Sequence, residues 1–508
     1  MNNDLIFGKD QTNSIVSMED NKDGTMQIFQ QDADGKIIET TVPNEYWILT
    51  DQHTDSHCKR LIGDGYYKHL NPFTLRDDFE QAKRHFRQYG DKAYFINDPK
   101  EAFMVRNGYS YYKGLKHSEV SVLSFDIETT TLEHNKDAKV LIISNTFRDS
   151  KGNKERKLFC YDEYMSDKDF FEAWCSWVRE KDPSIIVGHN IFGFDFPYVD
   201  YCSRRAGVEL ILGRKSKNIR FNKYSSKFRK DQSQFLDYNK CYIHGREIID
   251  TYFLSIKFDV VQKKYESYGL KPIIKAEGLE IEGRQFYDAS LIRKNYTIPE
   301  EWEKIKDYAL HDADDALSLW DLQGPSSFYM CNTIPKSLQE LTCGATGSAL
   351  NSVMVRNYLQ QDHSLPKTTL VKKFEGGISI GVPGIYKHCA RWDLVSMYPS
   401  IMRQYKVYDP KKDPKGIFLI ITEYFALERL KNKKLYKETG NKYYDDLQSS
   451  QKILANSLYG ACATGGLLFN YPAGAEFITA KGREILTKAI EWASGKKYEE
   501  WLESNVQL

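Results

Sequence analysis

The sequence predicts a multidomain protein of mixed α/β and α+β class. Three observations predict it. At 508 residues the chain has room for roughly three or four domains. Apolar β-rich runs alternate with helical ones from about 116 to 330, the pattern of a domain built on a central sheet. Helical periodicity takes over from Lys415, broken by Gly440-Asn441, as in two antiparallel helices joined by a short turn. The composition, 41% hydrophobic and 28% charged, is that of a soluble globular protein. A net charge of only +1 gives no bulk signal for nucleic acid, so any such role needs local basic surface. The 34 Tyr and 27 Phe are read mainly as core and boundary residues. Nine scattered cysteines without a CxxC pair argue for a reducing compartment and against a disulfide framework or structural zinc. The N-terminus shows no signal-peptide pattern, and the apolar run Ile417–Ile421 is far too short to span a bilayer. A cytoplasmic location without membrane contact is expected.

Residues 1–115 carry strand-like stretches punctuated by Asp23-Gly24, Asp34-Gly35 and Gly63-Asp64-Gly65, with a helical patch over Leu75–Tyr89. They hold no catalytic constellation and read as a structural or DNA-contacting N-terminal domain. The second domain, 116–330, has buried strands expected at Val120–Phe125, Val140–Phe147 and Ser184–Val187. A connecting segment, 331–385, passes Gly344 and Gly347 into a helix containing Arg356, and Phe374–Tyr386 reads as strand-like.

Acids define the second domain. In Ser124-Phe125-Asp126-Ile127-Glu128, Asp126 and Glu128 are two apart, so on a strand both carboxylates face one side. Such a pair repels unless a cation lies between, and hard divalent ions such as Mg²⁺ prefer oxygen ligands. Gly188-His189-Asn190-Ile191-Phe192-Gly193-Phe194-Asp195 supplies a third acid after a Gly-containing turn. Tyr308-Ala309-Leu310-His311-Asp312 supplies a fourth, with Tyr308 and Asp312 on one helix face. Asp314 and Asp315 lie close by, but register favours Asp312.

In order and spacing these segments resemble the DxE, N-x₂₋₃-(F/Y)-D and Y-x₃-D motifs of DEDDy-type 3′→5′ proofreading exonucleases. The resemblance implies a ribonuclease H-like domain with a two-metal site for Mg²⁺, or Mn²⁺ in its place. Asp126, Glu128 and Asp312 would hold one ion, and Asp126 with Asp195 the other. Tyr308 would orient the attacking water, and Asn190 and Phe194 would contact the strand. Between the second and third motifs, residues 214–246 carry ten Lys/Arg against two acids, Asp231 and Asp237, interleaved with Phe221, Tyr224, Phe228 and Tyr242. Phosphate neutralisation and stacking are what single-strand binding requires, so DNA contact is expected there.

Downstream, Phe374-Glu375-Gly376-Gly377 resembles the YxGG/A segment of family B DNA polymerases, with Phe for Tyr. Asp393-Leu394-Val395-Ser396-Met397-Tyr398-Pro399-Ser400 reads as a metal-binding strand end beside a nucleotide-sized pocket, and resembles motif A of that family. Lys452-Ile453-Leu454-Ala455-Asn456-Ser457-Leu458-Tyr459-Gly460 resembles motif B. Lys452, Asn456 and Tyr459 can share a helix face, and Arg429 and Lys433 are four apart on the preceding helix. The resemblance implies palm residues 386–414, helical-hairpin fingers 415–459 and further palm residues 460–508. Asp393 would bind both polymerase metals with the Leu394 carbonyl as a further ligand. Ser396, Met397 and Tyr398 would lie under the triphosphate and sugar. Arg429, Lys433, Lys452 and Asn456 would grip the phosphates, with Tyr459 and Gly460 against the new base pair. Phe374, Gly376 and Gly377 would touch the template. Ile478-Thr479 and Gly482-Arg483 resemble the helix after motif B.

The acids after Tyr459 are Glu476, Glu484, Glu491, Glu499, Glu500 and Glu503, with no Asp and no YGDTDS-like motif C hairpin. One aspartate cannot hold two Mg²⁺ against phosphate repulsion. The expectation is therefore the larger chain of a split, bacteriophage-like, proofreading family B polymerase. A second polypeptide would bring motif C and the thumb; the alternative is a truncated product. Primer–template DNA and dNTPs are the implied partners. A sliding clamp and other replisome proteins are allowed by the resemblance, as is a host-cell cytoplasm if the source is viral. Two other readings are a stand-alone Mg²⁺-dependent exonuclease with a polymerase remnant, and a non-enzymatic primer–template scaffold.

Overall fold

The computed structural model describes residues 3–54, 56–88, 92–231, 234–280, 287–390 and 392–505. Its centre is a five-stranded sheet. In spatial order the strands are Lys154–Cys160, Val140–Arg148, Val122–Thr129, Ile185–Gly188 and Glu247–Asp250. The first three are antiparallel, and the last two run parallel to Val122–Thr129. This 3-2-1-4-5 order is the ribonuclease H-like arrangement that the acid motifs implied. Helices cover both faces, which is why the inner strands read as continuous apolar runs. Leu123, Phe125 and Ile127 point into a cluster with Phe170, Trp174 and Val178 of helix Asp167–Lys181 and with Phe196 and Val199 of helix Asp195–Arg205. The other face meets the long helix Pro299–Met330, whose Trp302, Ile305, Tyr308 and Ala309 pack on Leu141 and Ile142.

The N-terminal region holds two antiparallel sheets. Ile15–Asp20, Thr25–Gln31 and Ile37–Pro43 form one. Lys59–Arg60, His69–Phe73, Tyr46–Thr50 and Ala93–Tyr94 form the other, with helix Arg76–Arg87 against it. Buried Arg356, on helix Thr346–Leu359, donates to the Ile6 carbonyl at 2.6 Å and ties this region to later elements. One apolar cluster runs from Ile15 and Trp47 through Trp320 and Val353 to Leu458 and Ile478.

The last third is helical. Helices Ile417–Thr439 and Lys442–Ala463 form an antiparallel hairpin. Gly440, at φ +65°, ends the first, and the Asn441 side chain caps the second by accepting from the Tyr443 N–H. Helix Pro472–Ser494 follows, and Met397–Gln404 precedes the hairpin. Two expectations fail here. Phe374–Tyr386 is not strand, and Asp393 does not end one. Among the described residues no strand follows Asp250. A strand needs a neighbour to complete its hydrogen-bond ladder, and residues 366–395 have none.

Candidate active sites

The first site is built by the period-two geometry of Val122–Thr129. With Leu123, Phe125 and Ile127 directed to one core, Asp126 and Glu128 face the long helix. Asp312, on that helix, faces back toward them, and the ring of Tyr308, one turn earlier, lies 5.0 Å from the Lys271 ammonium that pairs with Asp312. Ligand oxygens of Asp126, Glu128 and Asp312 lie within 4.8 Å of one another. Asp195, 3% exposed, opens helix Asp195–Arg205 beside Asp126 but outside that triplet. The turn leading to it is held from below: the Asp250 carboxylate accepts from the N–H groups of Asn190 (2.8 Å) and Phe192 (3.2 Å). Asn190 is exposed at φ +64°, and the half-buried Phe194 ring lies 5.2 Å from Tyr198.

Electrostatics mark this cluster. Burial foremost pushes the Asp126 carboxyl up to about 6, with Lys271 opposing and Asp315 adding. Glu128 and Asp195 are held well above the usual carboxylate range by burial, then by Asp126. Several desolvated carboxylates on one point, all hard oxygen donors, fit a divalent cation. Asp314 is turned away, pairing with Arg156 (2.5 Å) and accepting from Thr146 (2.7 Å), so the helix register leaves Asp312 to the cluster.

Sequence reasoning passed over two residues. Lys271, on helix Leu270–Glu277, ion-pairs with Asp312, lies 3.4 Å from Asp315 and sits 5.0 Å from the Tyr308 ring centre. His189 lies between Thr251 Oγ1 (3.0 Å) and the Tyr268 carbonyl (2.9 Å), anchoring the chain that leads into Lys271's helix. Burial pushes its imidazole down to about 4, so it is neutral at pH 7. Lys271 is one lysine among many in sequence, and only the fold brings it to the acids.

The basic stretch divides. Arg214 and Arg246 are buried and share Asp182, at 2.9 and 2.8 Å, and Lys240 pairs with Glu340 at 2.6 Å. These three hold the fold together, which corrects the expectation of DNA contact for them. On the hairpin Ser226–Arg229/Phe235–Tyr238, Lys227, Arg229, Phe235 and Asp237 are exposed, as are Lys223 and Tyr224, whereas Phe228 is buried with its ring stacked 4.0 Å from Phe253, which corrects the expectation of DNA contact for it too.

The second site is assembled from helices. The Tyr398 and Tyr459 rings lie 4.7 Å apart, and Arg429 donates to Ser396 Oγ. Met397 is half-buried, and a Cβ on Gly482 would meet its methyl at 3.3 Å and the Tyr398 ring at 3.1 Å. The Phe374–Gly377 segment reaches the same place. Arg483 donates to the carbonyls of Glu375 (3.0 Å) and Gly376 (2.6 Å), and a Cβ on Gly377 would lie 3.0 Å from the Tyr398 hydroxyl. Phe374 packs on the apolar cluster. The Asn432–Gln451 hydrogen bond, 3.0 Å, sets the hairpin register and places exposed Lys433 and Lys452 beside it. Asn456 is exposed and Gly460 half-buried on the same helix. Asp393 and Leu394 are exposed on unpaired backbone, with Arg429 near enough to feel the Asp393 charge.

Known proteins share this layout. The model of the DNA polymerase family B exonuclease domain matches residues 103–273, and the DNA polymerase family B model matches 402–507. The chain belongs to DNA polymerase family B. Similar curated proteins are archaeal DNA polymerases. That of Thermococcus gorgonarius is 24% identical over 412 residues, covering 73% of this chain and 51% of its own. That of Desulfurococcus sp. (strain Tok) is 24% identical over 408 residues, covering 72% and 50%. This family B chain thus spans about half the length of the curated relatives it matches. The fold is similar to that of the family B DNA polymerase of the hyperthermophilic archaeon Pyrobaculum calidifontis, with a TM-score of 0.74 at 17% identity over 94% of this chain and 71% of that one. These archaeal relatives give no support to a bacteriophage-like origin. No described helix is long and apolar enough to cross a membrane.

Proposed function

We propose that the chain degrades DNA from the 3′ end at the Asp126 site and contributes the nucleotide-selecting half of a template-directed DNA polymerase. The observation that carries this is the convergence of Asp126, Glu128 and Asp312 on one buried point, Asp195 and Tyr308 flanking it. Divalent cations held there, Mg²⁺ or Mn²⁺, supply a water of lowered pKa and charge neutralisation for the departing 3′-oxygen. The chain's own groups do the rest. Tyr308 orients the incoming water, Lys271 balances the carboxylates, and Asn190 and Phe194 hold the strand end.

On the polymerase side, Tyr398 would stack under the deoxyribose and exclude a 2′-hydroxyl. Arg429, Lys433, Lys452 and Asn456 would clamp the triphosphate. Asp393 needs a second carboxylate, which we assign to a motif C segment that lies, with the thumb, outside residues 1–508. Primer–template DNA and dNTPs are the substrates, and a sliding clamp is a partner consistent with this role. The division at about 115, 330, 385, 414 and 459 and a cytoplasmic location belong to the same proposal. Exonuclease activity alone is the second reading, favoured by one contrast: the acids of the first site are buried and gathered, whereas Asp393 is exposed.

The test uses a 5′-labelled single strand. The full chain with Mg²⁺ or Mn²⁺ shortens it from the 3′ end, and Asp126→Ala does not; an intact label with both ions ends the exonuclease reading. Addition of a motif C chain gives primer extension that Asp393→Ala abolishes. No extension by that pair, with the Asp393→Ala control indistinguishable, leaves exonuclease activity alone.

A further inference from the structure

The long helix Pro299–Met330 does two things. Its N-terminal half carries Tyr308 and Asp312, and its C-terminal half receives the tip of the two-helix hairpin. Proline is rare inside a helix because it has no N–H for the carbonyl four residues back. Here Pro325 lies in the helix interior, and the carbonyl it leaves without that donor belongs to Asp321. Lys442 Nζ donates to this carbonyl at 3.0 Å. The Asp321 carboxylate is engaged separately, by Arg148 of the central sheet at 2.5 Å.

The neighbouring contact is aromatic. Tyr443 meets Tyr329 edge-on, with ring centres 5.6 Å apart and planes at 82°. The Tyr329 hydroxyl accepts from the His117 N–H at 3.1 Å, so the receiving surface is braced by the exonuclease core. On the hairpin side, Gly440 and the Asn441 cap place Lys442 at the first position of its helix. Around these contacts the tip is open, with residues 437–442 exposed.

We propose that Lys442 and Tyr443 form a latch on the Pro325-opened turn of the long helix. It docks the hairpin that carries Arg429, Lys433, Lys452 and Asn456 at a fixed distance from Tyr398, on the same helix that positions Asp312. The latch is small and made at the edge of the fold, so it opens locally while the rest stays folded. Lys442 and Tyr443 are positioning residues. Their link to nucleotide binding rests on the proposed role of the hairpin, whereas the docking itself does not.

Hydrogen exchange of the full chain tests it without any activity. Lys442→Ala removes the donor. Pro325→Ala restores an N–H that competes for the Asp321 carbonyl within the helix, and so weakens the hold on Lys442 while leaving that side chain in place. Each variant is expected to speed amide exchange over 436–447 on the order of tenfold, as loss of one charge-assisted hydrogen bond implies. The double variant goes no further than either single one, and Lys442→Arg stays near wild type. Unchanged exchange in Lys442→Ala overturns the proposal. So does exchange that rises throughout the chain with a lowered melting temperature, which marks a structural residue and not a latch. Single-strand degradation stays within about twofold of wild type in all variants, since none of these side chains lies in the acid cluster.

Discussion

The two sites of this chain are made in opposite ways. The acids proposed for the exonuclease sit on a strand buried on both faces and on a long helix packed against it, so their oxygens converge before any substrate arrives. The aspartate proposed for polymerisation, Asp393, lies on exposed backbone with no sheet partner among the described residues, although Tyr398 beside it is well seated against Tyr459, Gly377 and Gly482. Rigid neighbours fix a catalytic group only when they hold its backbone as well as its side chain. On the proposed function, the contrast teaches that nucleotide selection and metal binding, adjacent in one motif, depend on different parts of the fold. Helices already in place seat the tyrosine, while the aspartate has no strand ladder among the described residues.

The contrast can be broken most directly at the buried acids. Asp312→Ala is expected to cut single-strand degradation by roughly 10³-fold or more, since the metal site supplies several kcal/mol to the reaction. A loss under tenfold, measured with 5′-labelled substrate, would place the chemistry elsewhere. Lys271→Ala comes next, with an expected loss of about 10–100-fold, the range for groups that orient metal-binding residues. Its metal-free melting temperature should also fall, because the acids lose their balancing cation. Glu247 tests how deeply the sheet is buried. Burial foremost pushes its carboxyl up to about 7, so the folded state holds a proton that the unfolded chain releases near pH 4.5. Stability is therefore fully present below about pH 4.5 and is lost as pH rises through 7, by about 1–3 kcal/mol. Denaturant titrations of wild type and Glu247→Gln over that range should show the slope flatten in the variant. The smallest effect sharpens the other side of the comparison. Arg483→Ala frees the Glu375 and Gly376 carbonyls and should cost under about 1 kcal/mol overall. It should still speed amide exchange over 374–377 measurably, and no change there would mean that Phe374–Gly377 is held by other contacts.

Much of the site was legible because it depends on short-range periodicity. A period of two put Asp126 and Glu128 on one face, and a helical period put Tyr308 over Asp312. Gly440-Asn441 marked the hairpin turn to the residue, since a left-handed terminator followed by an Asn cap is a local signal. The strand reading of Phe374–Tyr386 failed for the complementary reason: β propensity is realised only against a neighbour, and the described chain offers none. Arg214 and Arg246 were misread because charge in sequence does not say whether a partner such as Asp182 waits in the fold.

The sequence by itself determined three of the strands around the acids, the register that selects Asp312 over Asp314, and the family motifs around Tyr398 and Lys452. Those follow from local geometry and from residue types spaced along one element. Only the tertiary structure decided that Lys271 meets the acid cluster and that His189 anchors the chain leading to it, that three basic residues are internal, and that Lys442 meets a carbonyl opened by Pro325. Each of these joins residues far apart in the chain, and their meeting is set by how the helices pack on the sheet, which no spacing in the sequence encodes.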